Sequence, residues 1–379
     1  MFVERRTSIS LLTSVIAYML SIMKIGLIGL PSTGKTTFFQ LLTGTDSNQN
    51  KSEANLGIAK VPDDRIDFLS GIYKPKKTTY ATIEVTDIQG IQPSTSTGKS
   101  SSLHFLEAVR QVDALVHVVR AFKNDDVFHT EGSIDPLRDI ETVNLELLFA
   151  DLAVMENRIH RIETSKKITK ENQQELELIK RCKECLENEG LLYNMDLNHE
   201  ERQILKTFNF LTERPLILLI NLDEDQFISG DYYGKDEIEA FAKDKNIPVI
   251  EVCAKVELEI SQLEDEYKTA FMEELGITET GTGKLARAAY ELLGLISFIT
   301  VGEDEVRAWP IKAGTNARDA AGKVHTDIAR GFIRAEVAKF EDFKTYGSMQ
   351  KLKEKGLLRL EGKEAVVEDG DIINFRFNV

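Results

Sequence analysis

Residues 24–36 read Lys-Ile-Gly-Leu-Ile-Gly-Leu-Pro-Ser-Thr-Gly-Lys-Thr, a short apolar strand that leads directly into a glycine-framed loop. The glycines let the backbone turn its N–H groups inward around phosphate, and the helix that follows adds its positive end. Lys35 is placed to reach the β- and γ-phosphates, and the Thr36 hydroxyl is placed to coordinate Mg²⁺. The stretch predicts a phosphate loop for a nucleoside triphosphate, in which Lys35 also serves catalysis. The predicted nucleotide contacts in the loop are Leu30, Pro31, Ser32, Thr33, Gly34, Lys35, Thr36 and Thr37.

A second motif, Asp87-Ile88-Gln89-Gly90, ends a β-branched stretch some fifty residues further on. A carboxylate at that strand end can hold Mg²⁺, and the Gly90 N–H can meet the γ-phosphate. The next residue is Ile91, where Ras-like enzymes carry a Gln that orients the attacking water. An aliphatic side chain cannot form that hydrogen bond. Either another group positions the water, or intrinsic hydrolysis is slow.

Two further motifs concern the base. Asn221-Leu222-Asp223-Glu224 follows an apolar run, where GTPases carry Asn-Lys-x-Asp. A Glu at the fourth position is one methylene too long for the same bidentate contact with guanine, and the Lys stem that covers the base is missing. Guanine specificity should therefore be relaxed, and adenine becomes plausible. Cys253-Ala254-Lys255 stands where GTPases carry Ser-Ala-Lys and would place backbone N–H groups and the Lys255 stem beside the base.

Apolar strand patterns at 24–28, 80–87, 113–119, 216–220 and 247–252 alternate with helical segments. This alternation predicts an α/β fold with a doubly wound parallel sheet.

The alternation stops between about 136 and 205, where a heptad seam predicts an antiparallel helical coiled-coil arm. The seam residues are Leu145, Leu148, Leu152, Met155, Ile159 and Ile162. From about 296, short β-type runs between Gly and Asp turns predict a small β-rich domain. The expected parts are an extension (1–23), a nucleotide-binding domain (24–135 and 206–292), a helical insertion (136–205) and a β-rich domain (293–379).

Composition narrows the class of protein. A net charge of −15 disfavours binding to nucleic acid through overall charge, and three cysteines do not make a disulfide framework. Residues 1–23 resemble a signal peptide, but the apolar run from Ile9 is too short and interrupted for a membrane span. We interpret Met23 as the true start and the preceding segment as upstream sequence. The expectation is a cytoplasmic monomer without a membrane partner.

Taken together, these motifs resemble the YchF or Obg-like ATPase family. The resemblance rests on Gly-Leu-Pro-x-x-Gly-Lys-Thr, Asp-Ile-x-Gly-Ile, Asn-x-x-Glu and Cys-Ala-Lys, on 112–146, and on the C-terminal region from Leu293, above all 322–337. It implies a TGS-like β-grasp domain at the C-terminus, ATP hydrolysis with Mg²⁺, and association with ribosomes. It also implies that His129 orients the nucleophile. The alternative for His129 is a hydrogen bond within its own loop.

The chain also departs from the family pattern. Ser32 stands where the family usually has Asn, which puts stimulation by K⁺ in doubt. The switch segment is shortened to 48–53, with Ser52 a weak candidate for the Mg²⁺-sensing residue, and the loop from Gln92 is altered. Three functions stay open: a slow Mg²⁺-dependent ATPase acting as a ribosome-linked switch, an Obg-type GTPase, and a nucleotide-regulated binding module with little hydrolysis.

Overall fold

The computed structural model describes residues 23–44, 55–90 and 99–378. Contacts divide the chain into two compact units. The first, here called the nucleotide unit, comprises Lys24–Gly57 and Glu84–Leu285. The second, here called the C-terminal unit, combines Ile58–Ile83 with Ala286–Val379. No helix within the described ranges is both long and apolar enough to cross a bilayer.

The described residues form twelve strands, arranged in two six-stranded sheets. The strands are β1 (Lys24–Ile28), β2 (Asn55–Lys60), β3 (Lys77–Thr79), β4 (Thr82–Asp87), β5 (Ala114–Arg120), β6 (Leu216–Asn221), β7 (Val249–Val252), β8 (Leu295–Thr300), β9 (Glu305–Lys312), β10 (Phe332–Lys339), β11 (Arg359–Glu361) and β12 (Asp371–Phe377).

The α-helices of the described ranges are α1 (Lys35–Thr43), α2 (Asp64–Tyr73), α3 (Lys99–Val109), α4 (Pro136–Glu163), α5 (Lys170–Glu187), α6 (His199–Lys206), α7 (Glu224–Ser229), α8 (Lys235–Asp244), α9 (Ala254–Gln262), α10 (Asp265–Glu274), α11 (Gly281–Leu292), α12 (Ala317–Val324), α13 (Thr326–Arg330), α14 (Phe340–Tyr346) and α15 (Met349–Glu354). Both units are therefore of mixed α/β type, and the predicted fold class is confirmed.

The first sheet has the order β2-β4-β1-β5-β6-β7. The pairings of β1 with β4 and β5, of β5 with β6, and of β6 with β7 are all parallel. Strands β5 and β6 are buried along their whole length, as their continuous apolar sequences predict. Parallel pairing brings the carboxyl ends of these strands to one edge of the sheet, which is where ligands bind in open α/β folds.

Helices α4 and α5 form the predicted helical hairpin. Three ion pairs join them, Glu156 to Lys183, Arg158 to Glu175 and Glu163 to Lys180. Because only residues 164–169 separate the two helices, they run antiparallel. Of the predicted seam, Leu148, Met155 and Ile162 are buried, Leu152 and Ile159 are partly buried, and Leu145 is 40% exposed.

The second sheet lies in the C-terminal unit and has the order β11-β10-β12-β8-β9-β3. Its pairings are mixed, since β12 and β8 are parallel while β8 and β9 are antiparallel. Strand β3 lies parallel to β9, with Lys77 opposite Glu305. The sequence-based boundaries placed residues 58–83 in the nucleotide-binding domain, whereas the structure groups them with the C-terminal unit. Pairing between strands more than two hundred residues apart leaves no local signal in the sequence.

Candidate functional site

The phosphate loop connects β1 to α1 and closes around its own lysine. The Lys35 ammonium is 7% exposed and donates to the carbonyl oxygens of Leu30 at 2.6 Å and Gly29 at 3.2 Å. Burial lowers the pKa of Lys35 to about 8, and the negative charge of Asp87 offsets part of this decrease. Within the described residues, the hydrogen-bond partners of the ammonium are two carbonyl oxygens, which it can exchange for the oxygens of a phosphate group.

The loop's backbone requires glycine at two positions. Gly29 has φ +139°, and a β-carbon there would lie 2.4 Å from the Val118 carbonyl oxygen. Gly34 has φ +99°, and a β-carbon there would lie 2.5 Å from the Asn221 Nδ2 atom. Between them, Ser32 adopts φ 61°, a left-handed conformation that Asn and Gly enter at lower cost than Ser. The glycine spacing of the motif is thus imposed by neighbouring strands.

Thr36 and Asp87, predicted as metal ligands, lie together. The Thr36 hydroxyl donates to the Asp87 carboxylate at 2.8 Å. A hydroxyl and a carboxylate oxygen are the hard ligands that Mg²⁺ prefers, so the pair fits this metal. A β-carbon at Gly90 would lie 3.0 Å from the Lys35 Nζ atom and from the Gly29 carbonyl oxygen. Both ends of the second motif therefore reach the phosphate loop.

A cavity of about 750 Å³ adjoins the start of α1. Its lining includes nine residues of the predicted motifs: Gly34, Thr37, Asn221, Leu222, Asp223, Glu224, Cys253, Ala254 and Lys255. The volume is in the range of sites for small organic ligands. The side chains of Leu222 and Cys253 are 2% exposed and pack in the apolar core, so these residues bound the cavity from within the fold.

Asn221 joins the separate motifs. Its side chain donates to the Thr33 carbonyl at 3.0 Å and accepts from the Ala254 N–H at 3.2 Å. Its backbone carbonyl accepts from the N–H groups of Ala121 and Phe122 at 2.9 and 3.0 Å. Asn221 is 3% exposed, so these four bonds lie away from solvent.

The carboxylates of the third motif are both engaged. Asp223 begins α7 and accepts from the Gln226 N–H at 2.9 Å and from the Lys123 N–H at 3.2 Å. Glu224 forms an ion pair with Lys255 at 3.1 Å. Sequence reasoning predicted Glu224 and Lys255 as base contacts but did not foresee that they pair with each other.

His129 lies in the loop between β5 and α4, with both ring nitrogens engaged. Its Nε2 is 2.9 Å from the Asp139 carboxylate, and its Nδ1 accepts from the Glu131 N–H at 3.2 Å. Asp139 is 1% exposed and also accepts from the Arg138 guanidinium at 2.8 Å. The Glu131 contact lies within the loop, as the alternative stated for His129 requires, whereas Asp139 lies on α4. The catalytic role of His129 stays a prediction.

Sequence reasoning did not single out His117, which lies beneath the phosphate loop. It is 1% exposed, pairs with Ile28 across the strands, and its Cδ2 lies 3.4 Å from where a Gly29 β-carbon would stand. Burial, together with the nearby Lys35 charge, lowers the pKa of His117 to about 3. The ring is therefore neutral beside the loop and leaves Lys35 as the cation there. A histidine inside an apolar strand run is the signal that could have found it.

Several sequence predictions fall outside the described ranges. These concern Ile91, which stands in place of a water-orienting Gln, and Ser52, the candidate Mg²⁺-sensing residue. They also concern the shortened switch segment at 48–53, the loop from Gln92, and the extension up to residue 22.

The parallel sheet, the phosphate loop at its carboxyl edge and the paired Thr36 and Asp87 define the chain as a P-loop nucleoside triphosphatase of the GTPase-type fold. A family described as 50S ribosome-binding GTPase matches residues 24–146, and the family YchF-GTPase_C, described as a protein of unknown function, matches residues 295–378. The chain belongs to the YchF family.

Individual relatives cover almost the whole chain. Ribosome-binding ATPase YchF of Bacillus subtilis is 44% identical over 363 residues, which span 93% of this chain and 99% of that protein. The protein of the same name from Escherichia coli O157:H7 is 41% identical over 94% of this chain and 99% of its own length. The solved structure of the Schizosaccharomyces pombe YchF GTPase superposes with a TM-score of 0.83 at 30% identity, covering 93% of this chain and 97% of that one.

We expect Asn221→Asp to destabilise the nucleotide unit by about 2 kcal/mol, because it places a carboxylate oxygen against the buried Thr33 carbonyl and removes the donor between them. Denaturant unfolding of the purified protein measures this difference. Asn246→Asp, at a surface turn after α8, is the matched control and should change stability by less than about 0.5 kcal/mol. Equal stability of the two variants would contradict the role given to Asn221.

Nucleotide affinity should fall as the pH rises above about 8. In the free protein the pKa of Lys35 is about 8, and a bound phosphate favours the charged ammonium and raises it. Binding above that pH therefore takes up a proton, so affinity decreases with pH. Calorimetric titration with ADP across this range measures the effect. Lys35→Arg, which stays charged, should remove that dependence, and an unchanged slope in this variant would reject the assignment to Lys35.

Proposed function

We propose that this protein is a Mg²⁺-dependent ATPase with slow intrinsic hydrolysis that acts as a ribosome-associated switch. The observation that carries the proposal is the continuity of the site. Lys35, Thr36 and Asp87 form its phosphate end, and the cavity beginning at Gly34 and Thr37 forms its nucleoside end. A nucleoside triphosphate has the same two-part chemistry.

At the phosphate end, each side chain has a distinct task. Lys35 gives up its carbonyl partners for the β- and γ-phosphates, where its charge opposes the charge that develops during transfer. Thr36 and Asp87 would hold Mg²⁺, which would neutralise phosphate charge. The Gly90 backbone approaches the loop closely enough for its N–H to meet the γ-phosphate.

At the nucleoside end, charge pairing supports adenine over guanine. Guanine recognition in GTPases uses a free carboxylate that accepts two N–H groups of the base. Here the Glu224 carboxylate is paired with Lys255, and the Asp223 carboxylate caps α7. Either carboxylate would have to lose an existing partner before it could accept the two guanine N–H groups. ATP is therefore the proposed substrate. The names of the bacterial relatives as ATPases support the same choice.

The proposed partner and compartment rest on the relatives. Two of them are named ribosome-binding, and the family matched at 24–146 is described in the same way. We extend ribosome binding, a cytoplasmic location and a monomeric state to this chain as parts of the proposal. The net charge of −15 means that any contact with ribosomal RNA would depend on a local basic surface.

The direct test is calorimetry with ATP and GTP, each with Mg²⁺ and with a chelator. We expect ATP to bind more tightly than GTP, and Lys35→Ala to weaken both by more than about tenfold, since it removes a charge-assisted bond to phosphate. The control is Lys180→Ala, which removes the same charge at an exposed position on α5. This variant should bind both nucleotides as the wild type does. Full affinity in Lys35→Ala would reject the phosphate-loop assignment.

Glu224→Asp should raise the affinity for GTP relative to ATP by about tenfold, because the shorter carboxylate leaves Lys255 and can accept two guanine N–H groups. Competition binding with the two nucleotides measures the ratio. Glu237→Asp, at an exposed position of α8 outside the cavity, should leave the ratio unchanged. A ratio that does not move in Glu224→Asp would place base selection elsewhere.

His129→Ala tests the proposed water-orienting role. We expect the single-turnover rate of ATP hydrolysis to fall by about a hundredfold while ATP affinity stays the same, as for loss of a group that acts on the nucleophile. To act in this way the ring must exchange one of its present partners, Asp139 or the Glu131 N–H. An unchanged rate would favour the structural role, and with it a binding module that hydrolyses little.

A further inference from the structure

Arg120 is the last residue of β5 and its side chain is 2% exposed. In the described parts of the chain its guanidinium bonds to backbone carbonyls. It donates to those of Asn124 at 3.0 Å and Val127 at 2.9 Å, and more weakly to those of Phe122 at 3.3 Å and Phe128 at 3.4 Å. One buried cation thereby gathers four carbonyls that point inward from a tight loop.

The loop gathered by Arg120, residues 121–128, forms one wall of the cavity. Phe122, Lys123, Asn124 and Val127 all line it. The Arg120 guanidinium carbon also lies 4.4 Å from the centre of the Phe122 ring, a cation–π distance that orients this ring. Arg120 itself is not among the cavity's lining residues, so its influence on a bound molecule passes through the wall.

The beginning of the same loop is tied to the third motif. Gln226 donates from Nε2 to the Ala121 carbonyl at 3.0 Å, and the Lys123 N–H donates to Asp223. These contacts hold residues 121–123 to α7. Arg120 supplies the bonds to the far part of the loop, residues 124–128, which leads on to His129.

We propose that Arg120 is a positioning residue for the nucleoside part of the ligand, which it serves by fixing the wall at 121–128 and not by contact with the nucleotide. The inference rests on the proposed function, since it takes the cavity as the nucleoside end of the site. Within the described ranges the hydrogen bonds of Lys35 and Asp87 do not involve residues 121–128, so Arg120 governs affinity for the base and ribose and leaves affinity for the triphosphate group unchanged.

The test compares ATP with inorganic tripolyphosphate, which has the phosphate chain but no nucleoside. In Arg120→Lys the charge stays, but an ammonium cannot reach four carbonyls at once. We expect calorimetry with Mg²⁺ to show ATP weakened by about tenfold, the effect of losing one or two charge-assisted bonds. Tripolyphosphate should bind within about twofold of the wild type.

A matched control is Arg110→Lys, because Arg110 also donates to a backbone carbonyl, that of Asn209 at 2.8 Å, but does not line or brace the cavity. Both probes should bind this variant as they bind the wild type. Gln226→Ala is the second variant, at a half-buried position, in case Arg120→Lys does not fold. It frees the start of the loop and should weaken ATP alone, by about threefold.

Equal losses for ATP and tripolyphosphate would show general damage to the unit and overturn the inference. Unchanged ATP binding in a folded Arg120→Lys protein would overturn it as well. If the wild-type protein binds tripolyphosphate but not ATP, the cavity is not a nucleoside site and the inference fails while the phosphate loop stands. If the wild type binds neither probe, the proposed function itself is rejected.

Discussion

The buried amide of Asn221 is the interaction on which the site depends. Its side-chain N–H donates to the Thr33 carbonyl of the phosphate loop, and its side-chain oxygen accepts from the first N–H of α9. Its backbone carbonyl accepts from the first two N–H groups of the loop after β5. Three segments that are far apart in sequence thus share one residue. An amide is suited to this task because it offers a donor and an acceptor side by side without a charge to bury.

The parallel sheet brings these segments together. Its register sets Leu27 opposite Asp87, Arg120 opposite Asn221, and Asn221 opposite Val252, so each strand ends at the same edge. Two basic side chains, His117 and Lys35, lie buried near this edge. His117 is neutral, and burial lowers the pKa of Lys35. A bound phosphate group would favour the charged form of Lys35.

Sequence reasoning succeeded where a motif is contiguous and follows a strand. It predicted the phosphate loop, because the motif directly follows an apolar strand. It also predicted Thr36 and Asp87 as metal ligands, and the structure places these two side chains in contact. It did not foresee that Leu222 would be buried in the core, that residues 58–83 would join the C-terminal unit, or that Arg120 would brace a loop. Each of these depends on which residues meet across the fold, and local spacing carries no record of that.

By itself, the sequence determined the class of protein, because a strand, a glycine loop and a lysine at fixed spacing can do little besides bind phosphate. It also determined the helical hairpin, through the period of its apolar seam. Only the tertiary structure decided which of the candidate side chains already have partners. The Glu224 to Lys255 pair, the His129 to Asp139 pair and the carbonyls around Arg120 each join groups from different elements or distant turns. A side chain can bind a ligand only if it is free of other partners or can exchange them. Which partners it has depends on the folded chain, because they come from distant parts of the sequence.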